Sequence, residues 1–244
     1  MLKINKAGFY KIDKEEVFVE SEGEIILQLL TDCKINIDNK GKSVVHLINE
    51  KAESIIINCE LFSELTLTLA AFSGESLSCE INAKLLDINS SINLVSAIIC
   101  KNENKLLVDI EHLAKASGST INNYGIALKD CSYDCQVIGK INKDCSDSYA
   151  YQTTGILSSG KAKKIQVLPI LAMKENQIKA KHSCFIGTLA LEQSYYLLSR
   201  GLNEKQISEL IAKSYLRNIL KEFQNEEICA QLGLQIERQV ELLC

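Results

Sequence analysis

The feature that most constrains this chain is a succession of short β segments with no hairpin chemistry between them. Ile25-Ile26-Leu27, Val44-Val45-His46-Leu47, Ile55-Ile56-Ile57 and Leu65-Thr66-Leu67-Thr68-Leu69 follow one another at roughly ten-residue intervals. Ser76-Leu77-Ser78-Cys79-Glu80-Ile81, Ile92-Asn93-Leu94-Val95 and Leu106-Leu107-Val108-Asp109-Ile110 continue the series. Clusters of Asn, Asp, Ser, Gly and Lys, which favour turns, lie between them. Leu65, Leu67 and Leu69 alternate with threonines, the period-two pattern of a strand with one buried face. Asn-Gly and Asp-Gly, the strongest short-range signals for antiparallel hairpins, do not occur. Short, regularly spaced strands fit a sandwich, a barrel or a stacked solenoid. The missing hairpin turns tilt the choice toward the solenoid, although no exact repeat is visible. The six-residue apolar rhythm of a left-handed hexapeptide solenoid is absent.

The strand pattern is expected from about Glu24 to Val167, and the character changes after Gly187. Leu189 to Arg200 reads as a helix closed by Gly201 at the C′ position. Asn203 to Gln206 reads as an N-cap with its capping-box partner three residues on. Ile207, Ile211, Tyr215, Ile219 and Phe223 recur every fourth residue, joined by Leu210 and Leu220, which predicts a helix with one apolar face over 204–223. A last helix is expected from Glu226, with Ile228, Leu232, Ile236, Val240 and Leu243 on one stripe and Gly233 weakening it. The expected division is a β core over 1–186 and a helical region over 187–244. The apolar stripes serve either their own domain or a docking partner.

Several function classes lose their support at this level. The formal net charge is −4, so a surface built to bind nucleic acid is not expected. The N-terminus carries no apolar signal-peptide stretch, and no run approaches about 18 apolar residues, so the expectation is a cytoplasmic chain without a membrane span. Ten cysteines in a reducing compartment read as buried thiols, metal ligands or redox groups rather than disulfides. No Gly-rich phosphate loop, Gly-x-Ser-x-Gly elbow or His-Glu-x-x-His is present. His46, His112 and His182 show no pairing suited to acid–base catalysis. Cys131, Cys135 and Cys145 have poor zinc spacing, and Cys131 with Cys135, on one face if they share a strand, reads as a buried core pair.

The most informative stretch begins at Pro169-Ile170-Leu171, the only proline in the chain, and passes through His182-Ser183-Cys184-Phe185-Ile186-Gly187-Thr188-Leu189. It continues to Tyr195-Tyr196-Leu197-Leu198-Ser199-Arg200-Gly201-Leu202. A proline-bearing strand, a His-x-x-x-x-Gly segment and an aromatic-rich helix ending in Ser-Arg-Gly together resemble the C-terminal signature of the SufB/SufD family of iron–sulfur cluster assembly proteins. The helix through Tyr215-Leu216 resembles the family's following helix. His112-Leu113 with Ser119, Gly139-Lys140-Ile141 and Tyr151-Gln152 to Ile156-Leu157 fall in the family's order upstream. The resemblance spans about residues 105–224.

That resemblance implies a right-handed parallel β-helix core with a C-terminal helical segment. It also implies dimerisation through the core, as a homodimer or with a SufB/SufD paralogue, and C-terminal helices that dock a SufC-type ABC ATPase. The implied activity is scaffolding or assembly of an iron–sulfur cluster held transiently at the dimer interface, and no catalysis by the chain itself. Thr153 and Thr154 fall near the SufB-type scaffold cysteine, and Ser183 stands where SufB-type members carry Glu. The motif is therefore closer to SufD, in a short member without the N-terminal helical region of larger relatives. His182 falls on the cluster-associated histidine, and Cys184, two residues on, leaves the same face of a strand. Imidazole and thiolate are both iron ligands, so this pair is the expected cluster and metal site. Arg200, Gly201, Ile207, Leu210, Ile211 and Tyr215 are the expected ATPase-docking residues. The alternatives are a metal-free regulatory partner of an ABC ATPase and a β-solenoid carbohydrate-active enzyme.

Overall fold

The computed structural model describes residues 1–20, 22–73, 76–158, 162–188 and 194–241. Its first eight strands are short: β1 (Leu2–Ile4), β2 (Gly8–Ile12), β3 (Glu16–Val19), β4 (Gly23–Leu29), β5 (Cys33–Asn39), β6 (Ser43–Asn49), β7 (Ser54–Leu61) and β8 (Glu64–Ala71). The next eight are longer: β9 (Leu77–Leu85), β10 (Ser91–Cys100), β11 (Glu103–His112), β12 (Gly118–Ala127), β13 (Ser132–Ile141), β14 (Tyr149–Ser158), β15 (Lys164–Met173) and β16 (Lys179–Thr188). Odd-numbered strands form one parallel sheet and even-numbered strands another, each in sequential order. Every coil thus contributes one strand to each sheet, which makes the body a two-sheeted parallel β-helix.

Register explains why no exact repeat could be seen. Val17 pairs with Leu2, a coil of 15 residues, whereas Pro169 pairs with Val137, a coil of 32. A widening coil preserves strand pairing while destroying any fixed period. The strands also begin at Leu2 rather than near Glu24. The first three are only three to five residues long, too short to show alternation among their flanking charges.

Several turns are made by single residues in the left-handed region: Asn89, Asp130, Asp144 and Asp147 have φ between 60° and 66°. Asn and Asp tolerate this conformation because their side chains bond the local backbone. Such turns join consecutive strands that lie in different sheets.

Inward side chains stack in columns along the coil axis. Leu67, Leu94 and Ile121 are in direct register and essentially unexposed. The central core runs from Ile4 to Ile156 and takes in Cys33, Cys59, Cys79, Cys100, Cys131 and Cys135. A second apolar cluster lies on the outer face of the even sheet, where Ile26, Ile48, Val95, Ala97 and Ile126 meet the C-terminal helices.

These helices are α1 (Ser194–Ser199), α2 (Glu204–Leu216) and α3 (Glu226–Glu241), with a 3-10 segment over Arg217–Glu222 between the last two. The expected start at Leu189 lies outside the described residues, and α1 closes at Gly201 with φ 90°. Asn203 caps α2, with Gln206 completing the capping box. The expected single helix over 204–223 breaks at Arg217, and the turn tightens so that Ile219 and Phe223 still reach the sheet. Ile228, Leu232, Ile236 and Val240 of α3 are buried there, while Leu243 lies outside the described residues. The stripes therefore belong largely to their own domain. No described helix is long and apolar enough to cross a membrane.

His46 ties this helical cover to the sheet. Its ring stacks on Phe223 at 4.0 Å between centroids, Nδ1 accepts from the Thr68 hydroxyl at 2.9 Å, and Nε2 donates to Glu24 at 3.2 Å. Gln224 N also donates to Glu24. His112 is equally buried and bonds the hydroxyls of Ser117 and Ser119 at 2.8 and 2.9 Å. Burial lowers the pKa of both, that of His112 to about 4 from 6.5 despite an opposing hydrogen bond at Ser117. As pH falls below 6.5 the unfolded chain takes up these protons before the fold does. Stability therefore drops between about pH 6.5 and 4, by about 3 kcal/mol for His112 alone. His112→Gln should remove one proton equivalent of that slope in urea unfolding measured across this range, leaving the part due to His46. An unchanged slope would place the lost protons elsewhere.

Candidate functional site

β15 and β16 close the stack, and each keeps one edge without a strand partner. Side chains that would be interior in any earlier coil are therefore uncovered in the last. On β16 the inward row is Ala180, His182, Cys184 and Ile186, because these residues register with Ala150, Gln152, Thr154 and Ile156 of β14. All four β14 residues are buried, whereas all four on β16 are exposed. His182 and Cys184 thus share one face, about 6.6 Å apart along the strand, and look out of the open end of the β-helix.

The layer beneath them is polar. Ser96 donates to Asn123 Oδ1 at 2.8 Å, and Asn123 donates to Thr154 Oγ1 at 3.0 Å, forming a ladder that ends directly under Cys184. The Cys135 thiol also bonds Thr154, and burial pushes its pKa up to about 12. Gln152 lies under His182, 2% exposed. It donates from Nε2 to the Ile170 carbonyl at 3.3 Å, and its Oε1 has no protein partner. The period-two pattern carried this signal, since Gln152 and Thr154 sit on an inward row. The outward row bears Lys179 and Lys181, the latter with its ammonium 4.6 Å from the Tyr151 ring centroid.

The cysteines divide sharply. Cys33, Cys59, Cys79, Cys100, Cys131, Cys135 and Cys145 are buried, and Cys229 is half-buried. Desolvation raises the thiol pKa of Cys33 to about 11 and of Cys59 to about 12. Cys100 and Cys131 hydrogen-bond to each other, which raises the first and lowers the second. Among the described residues no three His, Cys, Asp or Glu side chains converge to hold a metal ion. Cys131, Cys135 and Cys145 are buried, whereas His182 and Cys184 stand exposed on one face of β16.

The expected docking residues separate as well. Ile207 is fully buried, and Ile211 and Tyr215 pack against the second apolar cluster. Tyr215 donates to the Gly155 carbonyl at 2.8 Å and meets Tyr124 and Phe185 edge-on. Gly155 is required there, because a Cβ would stand 2.1 Å from the Tyr215 hydroxyl. Leu210, by contrast, is 49% exposed. Gly201 is exposed, and Arg200 lies over the Tyr196 ring at 5.1 Å. Tyr195, Tyr196 and Leu198 of α1 are exposed beside them.

Thiolate, not thiol, is the nucleophile, and the core thiols are both buried and largely held protonated. A maleimide at pH 7.5 should therefore label Cys184 within minutes while the buried cysteines react only on unfolding. Cys184→Ser should lower the fast-labelling stoichiometry by one. An unchanged stoichiometry would mean that the end coil is covered in solution.

Comparison with known proteins identifies the family. The family model described as "SUF system FeS cluster assembly, SufBD core domain" matches residues 11–215. The iron–sulfur cluster assembly protein SufD of Bacillus subtilis (strain 168) is 30% identical over 131 residues, covering 54% of this chain and 30% of that protein. An iron–sulfur cluster assembly SufBD family protein of Staphylococcus aureus (strain USA300) is 26% identical over 177 residues, covering 69% of this chain and 32% of that protein. The chain spans about a third of the length of these relatives. The match takes in almost every coil together with α1 and α2, and the chain belongs to the SufB/SufD core-domain family of the SUF iron–sulfur cluster assembly system.

Proposed function

We propose that this chain is an iron–sulfur cluster assembly subunit, SufD-like in its site, that presents His182 and Cys184 to a cluster carried as cargo between two β-helix ends. The observation that carries the proposal is the uncovered inward row of β16. Two ligands from one chain leave a cluster site half complete, so a second copy or a paralogue meets the open end and supplies the rest. A two-fold homodimer would offer the same pair twice. Unpaired edges on β15 and β16 favour such a contact, since exposed backbone donors and acceptors are templates for pairing with another chain. Imidazole and thiolate suit the iron of such a cluster. The chain acts in the cytoplasm and contributes binding and positioning rather than catalysis.

Anaerobic reconstitution of the wild type, His182→Ala and Cys184→Ser with ferrous iron and sulfide tests the site. Both variants should lose most of the bound iron and of the visible absorption of the wild type. Equal iron in all three proteins would remove the proposal. Loss in His182→Ala alone would assign the thiolates to a paralogue.

The energy-coupled partner in this proposal is a SufC-type ABC ATPase that docks on the outward faces of α1 and α2. Tyr195, Tyr196, Leu198 and Leu210 provide exposed apolar anchors beside Arg200, and interfaces of this kind rest on a few aromatic and aliphatic anchors. Tyr196→Asp with Leu210→Asp should abolish co-elution of the ATPase and leave the urea midpoint unchanged. Tyr215→Asp should instead lower the midpoint, because that side chain holds α2 on Gly155. Retained co-elution by the double variant would move the docking surface elsewhere.

A further inference from the structure

Among the buried side chains beneath the open end, Gln152 has an amide bonded at one end and unmatched at the other. Its Nε2 donates to the Ile170 carbonyl across the interior, which fixes which amide atom is which. Its Oε1 is buried and has no protein partner. A buried acceptor left without a donor destabilises a fold, so such groups are uncommon and point to a partner. The space around this amide is shaped for it: Gly139 faces it from β13, and a Cβ there would stand 2.9 Å from Nε2. The residue in direct register on the adjacent strand is His182, on the same inward row. His182 makes no side-chain hydrogen bond among the described residues. Neighbouring strands are about 4.8 Å apart, which places an imidazole N–H within reach of Oε1 by rotation about the His182 side-chain bonds.

We infer that Gln152 is a positioning residue for His182: its Oε1 accepts a hydrogen bond from one ring nitrogen and leaves the other, unprotonated, facing out of the β-helix end. A neutral imidazole binds a metal through its unprotonated nitrogen, and the partner of its other N–H sets tautomer and ring orientation. Gln152 suits this role because an amide accepts without adding charge next to a cluster. This inference rests on the proposed role of His182 as a ligand, but the hydrogen bond itself is measurable without iron.

The experiment uses the full chain labelled with ¹⁵N-histidine, iron-free, at pH 8, where an ordinary imidazole is neutral. The His182 signals are assigned by their loss in His182→Ala. In the wild type, His182 should show one tautomer with a ring N–H protected from solvent exchange. In Gln152→Met and in Gln152→Ala, which both lack the acceptor, that protection should vanish and the tautomer ratio should move several-fold toward that of free imidazole. Iron affinity should fall about tenfold in the same variants, the usual loss when a ligand's supporting group is removed. A His182 signal identical in the wild type and both variants overturns the inference. If the signal moves but His182→Ala binds as much iron as the wild type, the Gln152 contact stands and the ligand role of His182 falls.

Discussion

The structure depends on lateral stacking of inward side chains between parallel strands held in exact residue-on-residue register. Each coil buries its apolar row only because another coil lies on top, as in any quasi-one-dimensional fold. The column Leu67–Leu94–Ile121 illustrates the arrangement, with each member packing on the one before and after it. A stack of this kind has two ends that it cannot cover by itself. At the C-terminal end the uncovered row carries His182 and Cys184, so the same geometry that builds the core also exposes these two side chains.

The helices answer a second consequence of stacking, since a two-sheeted solenoid has outer as well as inner faces. The even sheet bears an apolar outer face, and α2, the 3-10 segment and α3 cover it. The odd sheet is more polar outside, with Asn58 donating to Asn36 and Asn82 to Asn58 along neighbouring strands, although Ile56 and Leu168 are exposed on it. It needs no cover. This difference explains why the helices lie over one sheet and not the other, with Ile211 and Tyr215 packed on it and Leu210, on the flank of that face, 49% exposed.

Much of this was legible in the residues. Alternation in Leu65 to Leu69, the absence of Asn-Gly and Asp-Gly, and the capping box at Asn203 each report a local preference that the fold keeps. His182 and Cys184 could be placed on one face from period two alone. The coil length was hidden because it grows along the chain, and β1 to β3 were hidden because so few residues carry no rhythm. The docking role of the α2 stripe was undetermined for a different reason. An amphipathic helix looks the same whether its apolar face meets its own sheet or another protein, and only the outer row Ile26, Val95 and Ile126 decides between them.

The inward columns change character along the stack. On the even sheet, the leucines Leu65, Leu67 and Leu69 give way to Ile92, Leu94 and Ser96, then to Ser119, Ile121 and Asn123. Ala150, Gln152 and Thr154 follow, and then Ala180, His182 and Cys184. On the odd sheet, Asn104 and Tyr133 are inward neighbours, and the amide of one and the hydroxyl of the other are buried without protein partners. Buried polar groups destabilise relative to apolar ones of the same shape. The early coils therefore supply the apolar burial that keeps the stack folded, and the late coils carry polar groups that the early ones stabilise. The polarity of the inward columns thus rises coil by coil toward the end where His182 and Cys184 emerge.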